Sequence, residues 1–226
     1  MPTKVIIRLS YNSDTKDRLE EIKMAVPDTT IEPRIMKSAK VEFTKCGYKK
    51  ASLKNICQNA GVTTGALYKR FAGKADLFEK MLEPTVQEIW DLGEQMDKFN
   101  WELVHNNQAV LRWNTAERQQ LEWTEFMYER YDEMRLLLSR AEGTKYQFFL
   151  KSLVEIHVEQ TVKIVEAIKR NKQKANNVEE DELYILYTAF WTAFFEPIVQ
   201  RFSKEKAQKY ISTLANVFNW QVFFGY

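Results

Sequence analysis

The sequence contains few of the residues that interrupt helices. It has seven glycines and five prolines among 226 residues, and most long stretches contain neither. Because glycine and proline mark the turns of many-stranded β proteins, their scarcity argues against such an architecture and favours helices. The sequence therefore predicts an all-α fold.

Cysteines and long apolar runs are scarce as well. The two cysteines, Cys46 and Cys57, are too few for the framework of a disulfide-rich secreted domain. Both lie inside helical patterns, where we interpret them as small buried thiols rather than redox sensors. The first residues have too short an apolar run for a secretory leader, and no stretch reaches the roughly 20 apolar residues of a membrane-spanning helix. We therefore expect a cytoplasmic protein.

The net charge of +2 conceals an uneven distribution along the chain. Residues 31–80 contain eleven Lys or Arg against four Asp or Glu, whereas residues 81–226 contain 17 basic against 22 acidic residues. A basic segment joined to a mildly acidic body indicates that one end meets a polyanion. A solvated basic face would give the same count, so charge alone leaves both interpretations open.

Helical periodicity begins at Ile31, after a polar lead-in in which residues 14–24 have the pattern of a short helix. An apolar stripe that includes Val41 ends before Gly47. Ser52 is predicted to cap a short second helix that ends at Ala60. A third short helix then ends at Phe71, and a long amphipathic helix follows it. That long helix is predicted over residues 74–99. The later helices are predicted over residues 101–111, 115–140, 146–172 and 179–200, and Ser203 is predicted to cap the last one.

The segment around Gly61 has the pattern of two short helices joined by a tight turn. Gly61 can adopt a positive φ there, and this arrangement is typical of a helix-turn-helix whose second helix enters the DNA major groove. Only Leu67 and Phe71 in that second helix are clearly apolar. Its other positions carry small hydroxyls, glycine, alanine, a tyrosine and cations, which suit a groove better than a core.

At these residues the sequence resembles the TetR/AcrR family of regulators. The run Gly47-Tyr48, Ala51-Ser52-Leu53, Ala60-Gly61-Val62-Thr63, Leu67-Tyr68 and Leu77-Phe78 carries the resemblance over about fifty residues. Cys57 and the basic pair at 69–70 depart mildly from the family pattern. The resemblance implies a three-helix DNA-binding domain over residues 30–75, after the lead-in 1–29. It also implies a helical effector-binding and dimerisation domain over residues 76–226.

The resemblance further implies roles for individual residues. Ser52, Tyr68 and Lys74 would hold DNA phosphates, which position the protein without specifying sequence. Ser52 has an alternative interpretation as a helix cap alone, and Lys69 as a solvated cation. The residues expected to face the groove are Thr63, Thr64, Gly65, Ala66 and Lys69, with Lys69 as the candidate for a guanine contact.

The remaining two thirds are predicted to hold an apolar effector pocket between the middle helices. Neither His105 nor His157 belongs to a cluster with metal-ligand spacing, so no metal or cofactor is expected. Most tryptophans are interpreted as core or interface. The candidate pocket residues are Trp113, Trp123, Met127, Phe149, Leu153, Tyr187 and Trp191.

The last two helices carry apolar faces, which the resemblance assigns to a homodimer on a palindromic operator. Burial within the monomer is the alternative. The candidate residues are Leu183, Leu186, Phe190, Phe194 and Ile198, then Tyr210, Ile211, Leu214, Val217, Phe218 and Val222. We expect a transcription regulator, a repressor that a small-molecule effector releases from DNA. The alternative is a DNA-bound regulator under the control of a protein partner. An enzyme is not expected, because the sequence has no phosphate loop, metal cluster or activated nucleophile.

Overall fold

The computed structural model describes residues 29–109, 111, 116–173 and 175–225, so the short helix predicted within residues 14–24 lies outside the described part. The described residues form helices joined by turns, without strands, as the sequence predicts. The helices are α1 (Ile31–Lys50), α2 (Leu53–Ala60), α3 (Thr64–Tyr68), α4 (Lys74–His105), α5 (Ala116–Glu129), α6 (Tyr131–Ser139), a 3-10 turn (Lys145–Phe148), α7 (Phe149–Arg170), α8 (Glu180–Val199), α9 (Lys204–Val217) and α10 (Trp220–Phe224).

The first three helices pack around one small core. Ile35, Phe43 and Leu67 are fully buried in it, and the ring of Phe43 meets that of Phe78 edge-on with centroids 4.9 Å apart. The apolar stripe predicted for α1 is wrong at Val41, which is 61% exposed. Because Ala39 and Phe43 already fill the buried side of that turn, Val41 falls on the opposite side of the helix.

Gly47 interrupts α1, as the sequence predicts. Its φ of 73° and ψ of 168° are not helical, although one further turn follows to Lys50. A Cβ at this position would lie 3.2 Å from the side-chain Cδ of Arg140. The absence of a side chain therefore permits both the positive φ and the close approach of the loop after α6.

The fourth helix is longer than the sequence predicts. It runs for 32 residues from Lys74 to His105, or about 48 Å at the usual rise of a helix. The prediction of a separate helix from Trp101 to Leu111 is therefore wrong. No glycine or proline lies near Phe99, and the buried Leu103 and Val104 continue the apolar face. The chain turns only at Asn107, which has a φ of 58°.

The region predicted as one helix from Thr115 to Arg140 consists of two. Arg130 leaves the helical region with a φ of −117° and a ψ of 34°, and its guanidinium lies over the ring of Phe126 and bonds to Glu88 of α4. The break has a packing reason, since α5 lies against α9 whereas α6 lies against α1 and α8.

The carboxy-terminal half matches the predicted helices more closely. Helix α8 lies within one residue of its predicted bounds, and Ser203 caps α9 by accepting a hydrogen bond from the Lys206 amide at 3.3 Å. The apolar face predicted for one last helix is divided between two helices, because α9 ends at Val217 and the short α10 follows. The start of α7 is also displaced, since Lys145–Phe148 form a 3-10 turn.

Two glycine substitutions should affect the free energy of unfolding in opposite directions. Gly47→Ala is expected to lower it by about 1–3 kcal/mol, because alanine is strained at that φ and ψ and meets Arg140. Gly93→Ala, inside α4 with no atom within 4 Å of the added Cβ, is expected to raise it by roughly 0.5–1 kcal/mol. Urea unfolding of both variants checks the pair. Equal effects at the two positions would contradict the role given to Gly47.

Candidate DNA interface and central cavity

A buried carboxylate fixes the start of α2. Glu42 is 6% exposed and accepts hydrogen bonds from the backbone N–H of Ser52 at 3.0 Å and from Asn55 Nδ2 at 3.2 Å. The Ser52 hydroxyl in turn accepts from the Asn55 amide at 3.4 Å, as its predicted role of N-cap requires. The amide of Ser52 is therefore occupied within the protein, while the hydroxyl keeps its hydrogen to donate outward.

The turn between α2 and α3 has the predicted geometry. Gly61 is left-handed, with a φ of 65° and a ψ of 37°, and the Val62 amide donates to the Cys57 carbonyl at 3.0 Å. Thr63 caps α3 by accepting from the Ala66 amide at 3.1 Å. Burial raises the pKa of the Cys57 thiol, in keeping with the structural role expected for that cysteine.

One side of α3 and its flanks is exposed to solvent. Leu67 and Phe71 are buried, as predicted, whereas Tyr68 is 59% exposed. We call the exposed or half-buried set the reading surface. It consists of Thr63, Thr64, Gly65, Ala66, Tyr68 and Lys69.

Lys74 is tied to the end of α1. Its Nζ donates to the carbonyls of Lys49 at 2.9 Å and Ala51 at 3.2 Å and lies 4.9 Å from the ring centroid of Tyr48. Sequence reasoning gave Lys74 a phosphate contact and missed this internal role. No motif reveals it, because the partners are backbone carbonyls more than twenty residues earlier in the chain.

A central cavity of about 280 Å³ lies between α4, α5, α7, α8 and α10. The predicted pocket residues Trp123, Leu153, Tyr187 and Trp191 line it. Trp113 lies outside the described residues. Met127 is buried elsewhere in the core, and Phe149 packs against Trp90 and borders a separate cavity of about 220 Å³.

Sequence reasoning did not select several other residues of the cavity wall. Gly93 and Asn100 come from α4, and Gln120 from α5. The only sequence signal for Asn100 is a polar residue on the apolar side of a helix. His157, interpreted from the sequence as a residue without a ligand role, also lines the cavity, with its ring 4.6 Å from that of Tyr187. The Tyr187 hydroxyl is bonded to that of Thr161 at 2.9 Å.

Most of the apolar residues predicted for the dimer interface are buried inside the monomer. This holds for Leu183, Phe190, Phe194 and Ile198 of α8 and for Ile211 and Leu214 of α9. Leu186, Tyr210 and Phe218 are half-buried. The large apolar side chains that remain exposed along α8, α9 and α10 are Tyr184, Ile185, Val217 and Val222.

Two further properties of the described residues concern metal binding and membrane crossing. Among them, no group of three or more His, Cys, Asp or Glu is placed to hold a metal ion. None of the described helices combines the length and apolar character that a membrane crossing requires.

The exposed side of the capped helix-turn-helix has the geometry of a DNA-binding segment. Residues 35–81 match the sequence model of the family described as bacterial regulatory proteins, tetR family. The match covers the helix-turn-helix and the start of α4, so this segment is similar to the DNA-binding part of that family. No curated protein sequence matches the chain.

Solved structures show the same fold at low sequence identity. A putative fatty acid metabolism regulator of Clostridium perfringens is 18% identical, with a TM-score of 0.53 over 80% of this chain and 96% of that one. NalD of Pseudomonas aeruginosa, the secondary repressor of the MexAB-OprM multidrug efflux pump, is 18% identical, with a TM-score of 0.52 over 82% and 93% of the two chains. A putative TetR-family regulator of Mesorhizobium loti is 15% identical, with a TM-score of 0.50 over 85% and 96%.

Two lysine substitutions should distinguish a contact with a DNA base from a contact with a DNA phosphate. Lys69→Ala is expected to relax base preference at one operator position, at about 1–3 kcal/mol of discrimination, and to leave unfolding unchanged because the side chain is exposed. Lys74→Ala is expected to weaken binding to all sequences similarly and to reduce the salt slope by about one. It should also lower the free energy of unfolding by roughly 0.5–1.5 kcal/mol, because the carbonyls of Lys49 and Ala51 lose their donor.

Binding to a library of operator variants at several salt concentrations, together with urea unfolding, checks both substitutions. A uniform loss across sequences for Lys69→Ala would contradict its place on the reading surface as a base contact.

Proposed function

We propose that the protein is a repressor that a small molecule releases from a palindromic operator. The observation that carries the proposal is the position of the central cavity beside α4. The same helix contributes Leu77 and Phe78 to the core of the DNA-binding helices and Ile89, Gly93 and Asn100 to the cavity wall. A ligand that displaces α4 therefore changes how the reading surface is held.

A second connection links the two parts of the chain. Helix α6 packs on both α1 and α8, and Lys40 of α1 forms an ion pair with Glu133 of α6. Arg140 lies against Gly47, and the Tyr146 hydroxyl donates to the Glu79 carbonyl at 3.4 Å. Since α8 also lines the cavity, a ligand there contacts α4 directly and reaches the DNA-binding part by a second route through α8 and α6.

The proposed DNA contacts follow from exposure and charge. Ser52, Tyr68 and Lys74 hold phosphates, and Thr63 to Ala66 together with Lys69 face the major groove. Lys74 keeps one of its three N–H donors beyond the two that close α1. That remaining donor and the full positive charge suit a phosphate contact.

The proposed dimer uses the outer side of α8 with the end of α9 and with α10. The apolar residues exposed there are Tyr184, Ile185, Val217 and Val222. Two copies joined in this way would present two reading surfaces to half-sites about one turn of DNA apart, roughly 34 Å. Control by a protein partner alone would need no cavity, so the cavity supports the small-molecule mechanism over that alternative.

Filling the cavity should imitate the effector. In Gly93→Phe the new side chain starts from a position on the cavity wall with no atom within 4 Å of its Cβ. We expect operator affinity to fall by about 5- to 150-fold, the usual range of allosteric coupling. Fluorescence anisotropy with an operator selected from genomic DNA measures the change.

Two variants serve as controls for that experiment. Gly93→Ala changes helix propensity without filling the cavity, and Gln95→Phe adds the same ring at an exposed position of α4. Both should bind the operator as the unmodified protein does. If Gly93→Phe also bound normally while its side chain occupied the cavity, occupancy would not control DNA binding.

A further inference from the structure

Glu42 is the only charged residue that is buried among the described residues. Within that part of the chain its hydrogen-bond partners are the backbone N–H of Ser52 and Nδ2 of Asn55, and not a lysine or an arginine. A carboxylate that is buried without a cation costs free energy, which its hydrogen bonds must offset. A charge retained here therefore indicates a role that an apolar side chain could not perform.

The peptide unit between Ala51 and Ser52 is held at both ends of its dipole. Its N–H donates to Oε1 of Glu42 at 3.0 Å, and its carbonyl accepts from Nζ of Lys74 at 3.2 Å. The carbonyl and the N–H of a trans peptide point in opposite directions, and the carbonyl is the negative end of its dipole. The ammonium group and the carboxylate thus match this dipole from opposite sides. They fix the orientation of the backbone from which the Ser52 side chain extends.

The same carboxylate also fixes the first turn of α2. Its Oε1 accepts from Nδ2 of Asn55 at 3.2 Å, and the backbone amide of Asn55 donates to the Ser52 hydroxyl at 3.4 Å. Glu42, Ser52 and Asn55 therefore form one small network. Because the hydroxyl oxygen accepts within this network, its single hydrogen is the donor that remains for a phosphate.

A second buried polar contact between α1 and α2 provides a comparison. Ser38 lies one turn before Glu42, is 7% exposed and donates from Oγ to the Ile56 carbonyl at 2.8 Å. This bond joins the same two helices, but it reaches α2 four residues after Ser52. The two contacts therefore allow the packing of α1 on α2 to be separated from the orientation of Ser52.

We propose that Glu42 is a positioning residue for the phosphate contact of Ser52, and that it acts together with Lys74 by holding the peptide unit between Ala51 and Ser52. Glu42 does not itself touch DNA. The inference rests on the proposed function, because it deepens the phosphate contact proposed there for Ser52. Measurements with and without DNA distinguish the failure of one from the failure of the other.

Amide hydrogen exchange, followed by NMR on the DNA-free protein, measures the held peptide unit directly. Amides at the start of a helix ordinarily lack an intrahelical partner. This holds for the Leu53 amide, which finds no acceptor among the described residues, whereas the Ser52 amide is bonded to Glu42. We expect Ser52 to exchange at least about tenfold more slowly than Leu53, and the difference to disappear in Glu42→Leu. Equal exchange of the two amides in the unmodified protein would contradict the proposal.

Three substitutions of Glu42 separate its hydrogen bonds from its charge. Glu42→Gln and Glu42→Leu both remove the negative charge, but only glutamine keeps an oxygen that accepts from the Ser52 amide. Glu42→Asp keeps the charge and withdraws it by one methylene group. We expect Glu42→Leu and Glu42→Asp to bind all operator variants at least about fivefold more weakly than Glu42→Gln. The salt slope should not change, because no lysine or arginine is lost.

Fluorescence anisotropy with an operator selected from genomic DNA measures these affinities, and urea unfolding checks that each variant is folded. If Glu42→Leu does not fold, the comparison of Glu42→Asp with Glu42→Gln decides the question. Equal affinities of the folded variants would overturn the positioning role.

A double-substitution cycle tests whether Glu42 acts through Ser52. Ser52→Ala alone should weaken operator binding about tenfold, because a donor to a charged phosphate is lost. In that background Glu42→Leu should change the affinity by less than about twofold, since the contact that it positions is already absent. The control Ser38→Ala should lower the melting temperature and leave operator binding unchanged.

The outcomes of the cycle separate the two proposals. Non-additive losses from Glu42→Leu and Ser52→Ala support both of them. Additive losses would retain the phosphate contact of Ser52 and overturn the positioning role of Glu42. Normal operator binding by Ser52→Ala would overturn the phosphate contact, and the positioning role with it.

Discussion

The structure depends on one constraint, which is that a single helix both packs against the DNA-binding helices and lines the central cavity. The amino-terminal turns of α4 complete the packing of the three DNA-binding helices through Leu77 and Phe78, and its later turns close the central cavity through Ile89 and Asn100. The helix is continuous across both regions, so a displacement at one end is transmitted to the other, although Pro84 removes one backbone hydrogen bond between them. The orientation of the DNA-binding part therefore depends on the cavity wall.

Charged side chains fix the end of α1 and the start of α2 in the DNA-binding part. Glu42 holds the first turn of α2, and Lys74 closes the last turn of α1 from the start of α4. These two charged side chains thus bond to backbone groups at helix ends that have no partner within the helix. Both lie next to the surface assigned to DNA, so the geometry that presents Ser52 is set by contacts that do not face DNA.

Neighbouring residues were sufficient to predict the helix-turn-helix. They were not sufficient to predict the features that depend on contacts between residues distant in the sequence. The cap at Ser52, the left-handed Gly61 and the buried pair Leu67 and Phe71 each follow from neighbours within a few residues. The break at Arg130 was missed because it arises from a partner on α4 and from packing of α5 and α6 against different helices. The helix end at Phe99 was wrong for a related reason, since the apolar face continues to Val104.

The cavity was predictable only in part. Large aromatic residues on the middle helices indicated Trp123, Tyr187 and Trp191, since such residues gather wherever helices meet. The amides of Asn100 and Gln120 gave no comparable signal, because a polar residue in an amphipathic helix is ordinarily solvated. Their place in the cavity wall depends on packing between helices that are distant in the sequence, and no periodicity encodes that.

The tryptophans of the cavity wall have an optical consequence. Four of the six tryptophans in the chain, at positions 90, 123, 191 and 220, line one small space. Indole emission responds to the polarity of its surroundings and to nearby ring systems. The protein thus carries intrinsic spectroscopic reporters at this space, because four of its six tryptophans are placed to respond to a change within it.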